Sequence, residues 1–251
     1  MTSTTFGRTI SESGTPVDWT RKYSIATGLL YLVTFAASIP AAFYFLSPVL
    51  DDPSYVLGAG EDTRVIIGTL LDTVNALACI GTAVAFYPVA RRLHESLALG
   101  YVTTRLFEAA VIMVGVLSLL AVVTLRQGAE GAAATDQASL LTTAQALVAV
   151  RDYTFQFGPN LSAGLNALMI GTILYRSRLV PRILPTIGLL AVLPLIGATV
   201  ATILGLTEQN SLWFAPGGAL IFVWELSLGL YLLIKGFKPS ALSGPAAPVT
   251  A

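Results

Sequence analysis

The chain has 251 residues, of which 55% are hydrophobic and 11% are charged, and its mean hydropathy is +0.75. Soluble domains carry roughly 25% charged residues, and a chain of this length cannot hide so much apolar surface in one core, so an ordinary soluble domain is excluded. The formal net charge of zero lacks the basic excess of a nucleic-acid-binding protein. We therefore predict an integral membrane protein whose partners are membrane lipids and not nucleic acid.

Apolar segments of membrane-spanning length recur along the chain. A transmembrane helix needs about 20 mostly apolar residues, and five segments meet this requirement easily: Tyr23–Leu46, Val65–Val89, Leu97–Leu125, Ile183–Leu206 and Pro216–Ile234. A sixth stretch, 139–175, contains Gly158-Pro159, and proline disfavours helix at the residue before it. We predict an interfacial or re-entrant helix at 139–157, then a short span at Asn160–Tyr175, giving an all-α bundle of six spans. If 139–157 crosses fully, the count becomes seven.

The ends of the chain differ in composition from the middle. Residues 1–20 are rich in Ser, Thr and Gly, and residues 238–251 are rich in Ala, Pro and Ser. Such compositions are typical of disordered tails. We predict two disordered cytoplasmic tails around a single transmembrane helical domain at 21–237.

The loop charges predict an orientation. With the N-terminus in the cytoplasm, only Arg64 and Arg126 lie outside, whereas ten basic residues lie inside: Arg8, Arg21, Lys22, Arg91, Arg92, Arg176, Arg178, Arg182, Lys235 and Lys238. Basic residues favour cytoplasmic loops. The bias predicts a multi-pass protein of the cell (cytoplasmic) membrane with both termini in the cytoplasm.

Several ionisable residues remain inside the predicted spans. A charge at the bilayer centre costs about 2.5–3.5 kcal/mol on insertion scales, so such residues face the bundle interior and are paired. At about 1.5 Å per residue, Arg105 lies roughly 12 Å deep, and Glu108, Glu225 and Asn166 lie roughly 15–16 Å deep. We predict that Arg105 bridges Glu108 and Glu225, and that three further residues complete the hydrogen bonds of this candidate ligand-binding core: Asn75, Asn166 and Asp72.

This cluster has two acids for one base and hence a surplus carboxylate. Three interpretations stay open: a proton site, a cation site, or a structural hydrogen bond. Buried ion pairs can also serve only to orient helices.

A second candidate site precedes the predicted break and contains Arg151, Asp152 and Asn160. Broken helices expose backbone groups that can bind ligands where they line a cavity. The alternative is an amphipathic helix on the outer surface with Arg151 extending to the headgroups. Glycines within the spans predict close helix packing; they are Gly28, Gly68, Gly115, Gly171 and Gly229.

The sequence contains no phosphate-binding glycine loop. It has one histidine and one cysteine, which excludes metal sites built from His and Cys clusters. We therefore predict no metal, no cofactor and no catalytic residue. Any enzyme chemistry here would have to use carboxylates, hydroxyls and arginine.

Four strings occur in order along the chain: Arg21-Lys22 leading into GLLYLVT, AFYPVARRLHESLALGYVTTRLFEA at 85–109, LYRSRLVPRILPTIGLL at 174–190, and WELSLGLYLLIKGF at 224–237. Together they resemble the domain-of-unknown-function family 4386, multi-pass proteins common in bacterial genomes. The resemblance covers about 21–237 and implies a membrane protein, without implying a substrate.

Four functions are compatible with this chemistry. They are binding or carrying a small amphiphile or lipid, an accessory role, proton- or cation-coupled transport, and a carboxylate-dependent enzyme acting on a lipid or isoprenoid. A cavity reaching Glu225 from the outer leaflet would favour binding or catalysis. A path open to both faces would favour transport, and a sealed, fully paired core would favour the accessory role.

Overall fold

The computed structural model describes residues 16–58, 60–129, 134–208 and 212–238. Within these residues the chain is helical and contains no β-strand, which confirms the all-α class. The α-helices are α1 Pro16–Pro40, the short α2 Ser47–Leu50, α3 Asp62–Ala90, α4 Glu95–Gly128, α5 Ala134–Phe155, α6 Ala163–Ser177, α7 Ile183–Ile203 and α8 Phe214–Ile234. Two π-helical segments continue α1 at Ala41–Phe45 and join α5 to α6 at Gln156–Ser162, and Tyr55–Leu57 forms a 3₁₀ turn.

Five helices are long and apolar enough to cross a membrane: Trp19–Phe45, Asp62–Ala90, Glu95–Gly128, Ile183–Ile203 and Phe214–Ile234. Each contains most of one of the five predicted spans. The protein is therefore membrane-embedded. The count of six spans stays a prediction, because α6 alone has 15 residues and is about 22 Å long at 1.5 Å per residue, short of the roughly 30 Å hydrocarbon core.

The helix does not end at Gly158-Pro159, where the sequence predicted a break. The backbone stays helical through it as the π segment Gln156–Ser162. Proline lacks the N–H that an α-helical hydrogen bond needs, and a π turn inserts an extra residue at that point. The Ser162 hydroxyl donates to the Phe157 carbonyl at 3.0 Å across this segment.

The helix α5 packs lengthwise on α4, and its predicted interfacial or re-entrant placement stays a prediction. Arg151 and Thr154 lie against Gly115, and Asn166 on α6 lies against Glu108. The path α5, π segment and α6 thus runs antiparallel to α4.

The helices form a closed ring in the order α1, α3, α4, α6, α7 and α8, with α8 returning to α1. One end, here called the basic end, carries the α3–α4 and α6–α7 turns and the end of α8. There the Arg21 guanidinium donates to the α8 carbonyls, including that of Leu233 at 2.8 Å. These carbonyls have no partner within the helix, so Arg21 ties α1 to α8.

At the opposite end, the 3₁₀ turn is clamped to the bundle. Arg126 is paired with Asp62, which also accepts a hydrogen bond from the Tyr55 hydroxyl at 2.7 Å. Desolvation, and next the hydrogen bond to Asp62, raise the pKa of Tyr55 well above its usual value.

Helix α1 begins at Pro16, so residues 16–20, predicted as tail, are helical. The remainder of the predicted tails, apart from Lys238, lies outside the described residues.

Candidate functional site

Arg105 on α4 lies at the centre of the ring and is only 2% exposed. Its Nη1 donates to Glu108 Oε2 at 3.1 Å, and its Nη2 donates to Glu225 Oε1 at 3.0 Å. Arg105 and Glu108 are three residues apart and share a helix face, whereas Glu225 reaches them from α8. Both predicted ion pairs are therefore present and join two helices that are far apart in sequence.

The two asparagines predicted in this core behave differently. Asn166 Nδ2 donates to Glu108 Oε2 at 2.8 Å, as expected, while its Oδ1 is buried without a hydrogen-bond partner among the described residues. Asn75 does not reach the acids. Its Oδ1 contacts the Cys79 thiol at 3.9 Å, and its Nδ2 finds no acceptor in the described part of the chain. The Cys79 thiol itself accepts from Arg105 at 3.5 Å.

Two tyrosines complete the surroundings of Arg105. Its Nε donates to the Tyr101 hydroxyl at 3.3 Å, and that hydroxyl lies 3.0 Å from the Tyr31 hydroxyl. The guanidinium carbon also lies 5.3 Å from the Tyr31 ring centre and 5.6 Å from that of Tyr101, within the range of cation–π attraction. Sequence reasoning missed both residues. Tyr101 precedes Arg105 by four residues, and this helical spacing is a signal that could have found it.

Asp72 pairs with a different arginine from the one predicted. Its Oδ2 lies 3.6 Å from Arg151 Nη2, and its carboxylate accepts no hydrogen bond from the described residues. The Arg151 guanidinium also stacks over Phe155, 5.3 Å from the ring centre. Arg151 is 7% exposed in the described chain, so it does not extend to the surface as an amphipathic outer helix would require.

The other two residues of the second candidate site, Asp152 and Asn160, lie in different places. Asn160 Nδ2 donates to Gln156 Oε1 at 3.0 Å within the π segment. Asp152, half-buried, lines a separate pocket beneath the 3₁₀ turn. Asp152 is thereby separated from the main cluster, whereas Arg151 and Asn160 belong to it.

One cavity of about 330 Å³ connects the two candidate sites. Its polar wall includes seven charged or amide side chains from α3, α4, α5, α8 and the second π segment: Asp72, Asn75, Arg105, Glu108, Arg151, Asn160 and Glu225. Its apolar wall includes Ile39 and Phe43 near the end of α1 and Phe222 on α8. Phe43 is 82% exposed, so the cavity reaches the outer surface of the helix ring through an apolar mouth.

Both π segments border this cavity. Ala42 and Phe43 come from the first, which directly follows Pro40, and Pro159 and Asn160 come from the second. A π turn widens a helix and is frequently found at functional sites. The two prolines thus place irregular helix on two sides of the same space.

The side chains of the cavity can recognise a polar group at one end and an alkyl chain at the other. The polar wall holds three carboxylates, from Asp72, Glu108 and Glu225, and two guanidinium groups, from Arg105 and Arg151. If all are ionised, one negative charge is unbalanced. The surplus expected from sequence therefore persists after Arg151 is counted.

The family model described as a domain of unknown function (DUF4386) matches residues 26–236. No curated protein and no solved structure gives a significant match.

Proposed function

Since the chain belongs to the DUF4386 family of unknown function, we propose from the geometry of the cavity that it binds or carries a small amphiphile or lipid within the membrane. The observation that carries the proposal is a single space with ion-paired side chains at one end and an exposed apolar mouth at the other. Ligand sites are typically concave, mostly apolar and 300–1,000 Å³ in volume, with a few convergent polar groups. A volume of about 330 Å³ suits a small ligand.

The filling of the bundle between the cavity and the basic end favours binding over transport. Toward the basic end the interior is occupied by fully buried side chains, among them Phe86, Tyr101, Trp224 and Leu228. This cluster separates the cavity from the basic end in the described conformation. The mouth near Phe43 and Phe222 therefore provides access from the side of the lipid.

The polar wall also argues against a purely accessory role. A core that only orients helices gains most when every polar group is satisfied, because an unpaired buried group costs about 1–3 kcal/mol. Asn75 is 7% exposed and keeps an unpaired amide nitrogen beside the cavity. This nitrogen is available to a ligand in the cavity.

Blocking the mouth tests this proposal. Gly218 lines the cavity, and a Cβ added there meets no atom within 4 Å. We expect Gly218→Leu to reduce the amount of lipid or amphiphile that co-purifies with the protein by about tenfold, because one leucine side chain removes a large part of so small a space. The measurement is native mass spectrometry of protein extracted in a mild neutral detergent.

The matched control is Gly197→Leu. Gly197 lies on α7, outside the cavity, and a Cβ added there also meets nothing within 4 Å. We expect this variant to retain wild-type lipid occupancy. Equal occupancy of Gly218→Leu, Gly197→Leu and wild type would refute the proposed site.

We further propose that the protein lies in the cell membrane with both termini in the cytoplasm, so that the mouth opens in the outer leaflet. Arg91, Arg176 and Lys235 flank the basic end, as basic residues of cytoplasmic loops do. A green fluorescent protein fused after Ala251 should fluoresce in bacterial cells, and alkaline phosphatase fused there should be inactive. The opposite pair of results would reverse the orientation.

A further inference from the structure

The polar wall of the cavity carries information about the head group of its ligand. When all five groups are ionised, Asp72, Glu108 and Glu225 contribute three negative charges to this wall, and Arg105 and Arg151 contribute two positive ones. A ligand with one positive charge would balance this wall. A ligand with one negative charge would increase the imbalance in a medium of low dielectric, where unpaired charges are most costly.

The hydrogen bonds of Arg105 make it a poor receptor for an anion. Its Nε donates to Tyr101, and its Nη1 and Nη2 donate to Glu108 and Glu225. With the bond from Nη1 to Cys79, four of its five N–H groups are engaged, and an anionic head would have to compete with two carboxylates for the same guanidinium.

The acids are less completely engaged. Glu225 contacts Arg105 through Oε1 alone, and its side chain keeps 12% of its surface exposed beside the cavity. Asp72 lies 3.6 Å from Arg151 and accepts no hydrogen bond from the described residues. These two carboxylates retain acceptor capacity for a positively charged donor.

Aromatic rings line the same cavity as these carboxylates. Phe222 precedes Glu225 by three residues and shares its face of α8, and Phe35 meets Phe222 edge to face with ring centres 5.3 Å apart. Both rings line the cavity. Aromatic faces attract organic cations, and quaternary ammonium groups are characteristically bound by aromatic residues near a negative charge.

Asn75 supplies a further polar group to the same wall of the cavity. The amide nitrogen of Asn75 has no acceptor among the described residues, although the side chain is more than nine-tenths buried and borders the cavity. Asn75 follows Asp72 by three residues on the same face of α3. A hydroxyl or carbonyl oxygen near a cationic head would satisfy it.

We propose that the cavity accepts an amphiphile with a positively charged ammonium head, which lies against Glu225 and Asp72 with its alkyl chain directed toward Phe43. This inference rests on the proposed function, because it names the head group of the same ligand.

The test compares three probes that share an eight-carbon chain: octyltrimethylammonium, octanol and octanoate. The full chain is purified in maltoside micelles, and binding is measured by native mass spectrometry and by the ligand-induced rise in Tm. Glu225→Gln removes one charge while keeping the shape of the side chain. Glu61→Gln is the matched control, because Glu61 pairs with Arg64 at 2.9 Å on the surface, away from the cavity.

We expect octyltrimethylammonium to bind at least about tenfold more tightly than either other probe, as one desolvated charge contact permits. We expect Glu225→Gln to lose about that preference, measured as the ratio of its affinities for octyltrimethylammonium and octanol. The Glu61→Gln variant should behave as wild type. If Glu225→Gln does not fold, Asp72→Asn should show the same selective loss.

The possible failures are distinguishable. If octanol or octanoate binds as tightly as the ammonium probe, and Gly218→Leu still weakens that binding, the ammonium assignment is wrong and the amphiphile site stands. Preferred binding of octanoate would identify Arg151 as the recognising group. If no probe responds to Gly218→Leu, both proposals fail.

Discussion

Arg105→Leu is expected to lower the free energy of unfolding by about 3–5 kcal/mol, the usual cost of removing one partner from a buried ion pair. The substitution leaves Glu108 and Glu225 facing the same space without the guanidinium that both contact. It also removes the donor to Tyr101. For a chain of this length, the corresponding fall in Tm is on the order of 10 °C, measurable by thermal unfolding in detergent.

Two further variants separate charge from packing. Arg91→Leu removes an exposed arginine at the basic end and should change Tm little, since exposed ion pairs and loop charges contribute less than about 1 kcal/mol. Adding Glu108→Gln and Glu225→Gln to Arg105→Leu should recover a large part of the loss, because the unpaired acids are then neutral. Similar Tm values for wild type and Arg105→Leu would show that the cluster does not stabilise the fold.

The sequence predicted this cluster because the rise of a helix per residue is nearly constant. Once the ends of the spans were assigned from loop charges, Arg105, Glu108, Glu225 and Asn166 had to lie at similar depths. The free-energy cost of exposing charged side chains to lipid then required them to face the interior of the bundle. The structure joins all four, although their role in ligand binding stays a prediction.

The ion-pair partner of Asp72 could not be predicted from the depths of residues along the spans. Asp72 can pair with Arg151 only if α5 packs along α4. The sequence suggested instead a break in the helix at Gly158-Pro159, which would have kept Arg151 away from Asp72. Proline removes a hydrogen bond, but the pattern of residues does not tell whether the helix ends or shifts to a π turn. The π segment keeps the backbone helical between α5 and α6, and Arg151 on α5 lines the cavity.

The tyrosines escaped prediction for a different reason. Tyr31 and Tyr101 read as apolar residues of a span, and aromatic residues in membrane proteins are expected mainly near the interfaces. Their hydroxyls matter only because two helices place them together around one guanidinium. That convergence depends on which helices are neighbours, which hydropathy does not determine.

The contact between α1 and α8 is close enough that a small substitution in it is expected to destabilise the protein strongly. Ser24 donates to the Leu232 carbonyl at 2.6 Å, and Arg21 reaches the following carbonyl. Gly28 continues this face of α1, and a Cβ added there would lie 2.7 Å from the Gly229 carbonyl oxygen and 2.8 Å from the Leu233 nitrogen. Both are backbone atoms, which cannot rotate away as a side chain can.

Gly28→Ala is therefore expected to cost about 3 kcal/mol, the upper end of the usual range for overpacking, with a fall in Tm on the order of 10 °C. Separating α1 from α8 would also pull Phe35 from Phe222, which meet 5.3 Å apart in the cavity wall. Binding of an amphiphile should weaken along with stability.

Gly197→Ala provides the comparison, because its added Cβ meets nothing within 4 Å and alanine favours helix by about 1 kcal/mol over glycine. Its Tm should equal or slightly exceed that of wild type. If Gly28→Ala behaved like Gly197→Ala, the helices would not be in backbone contact at this point. The sequence prediction that Gly28 permits close packing would then be wrong. The distance between α1 and α8, which form one wall of the cavity, would also have to be larger than in the structure.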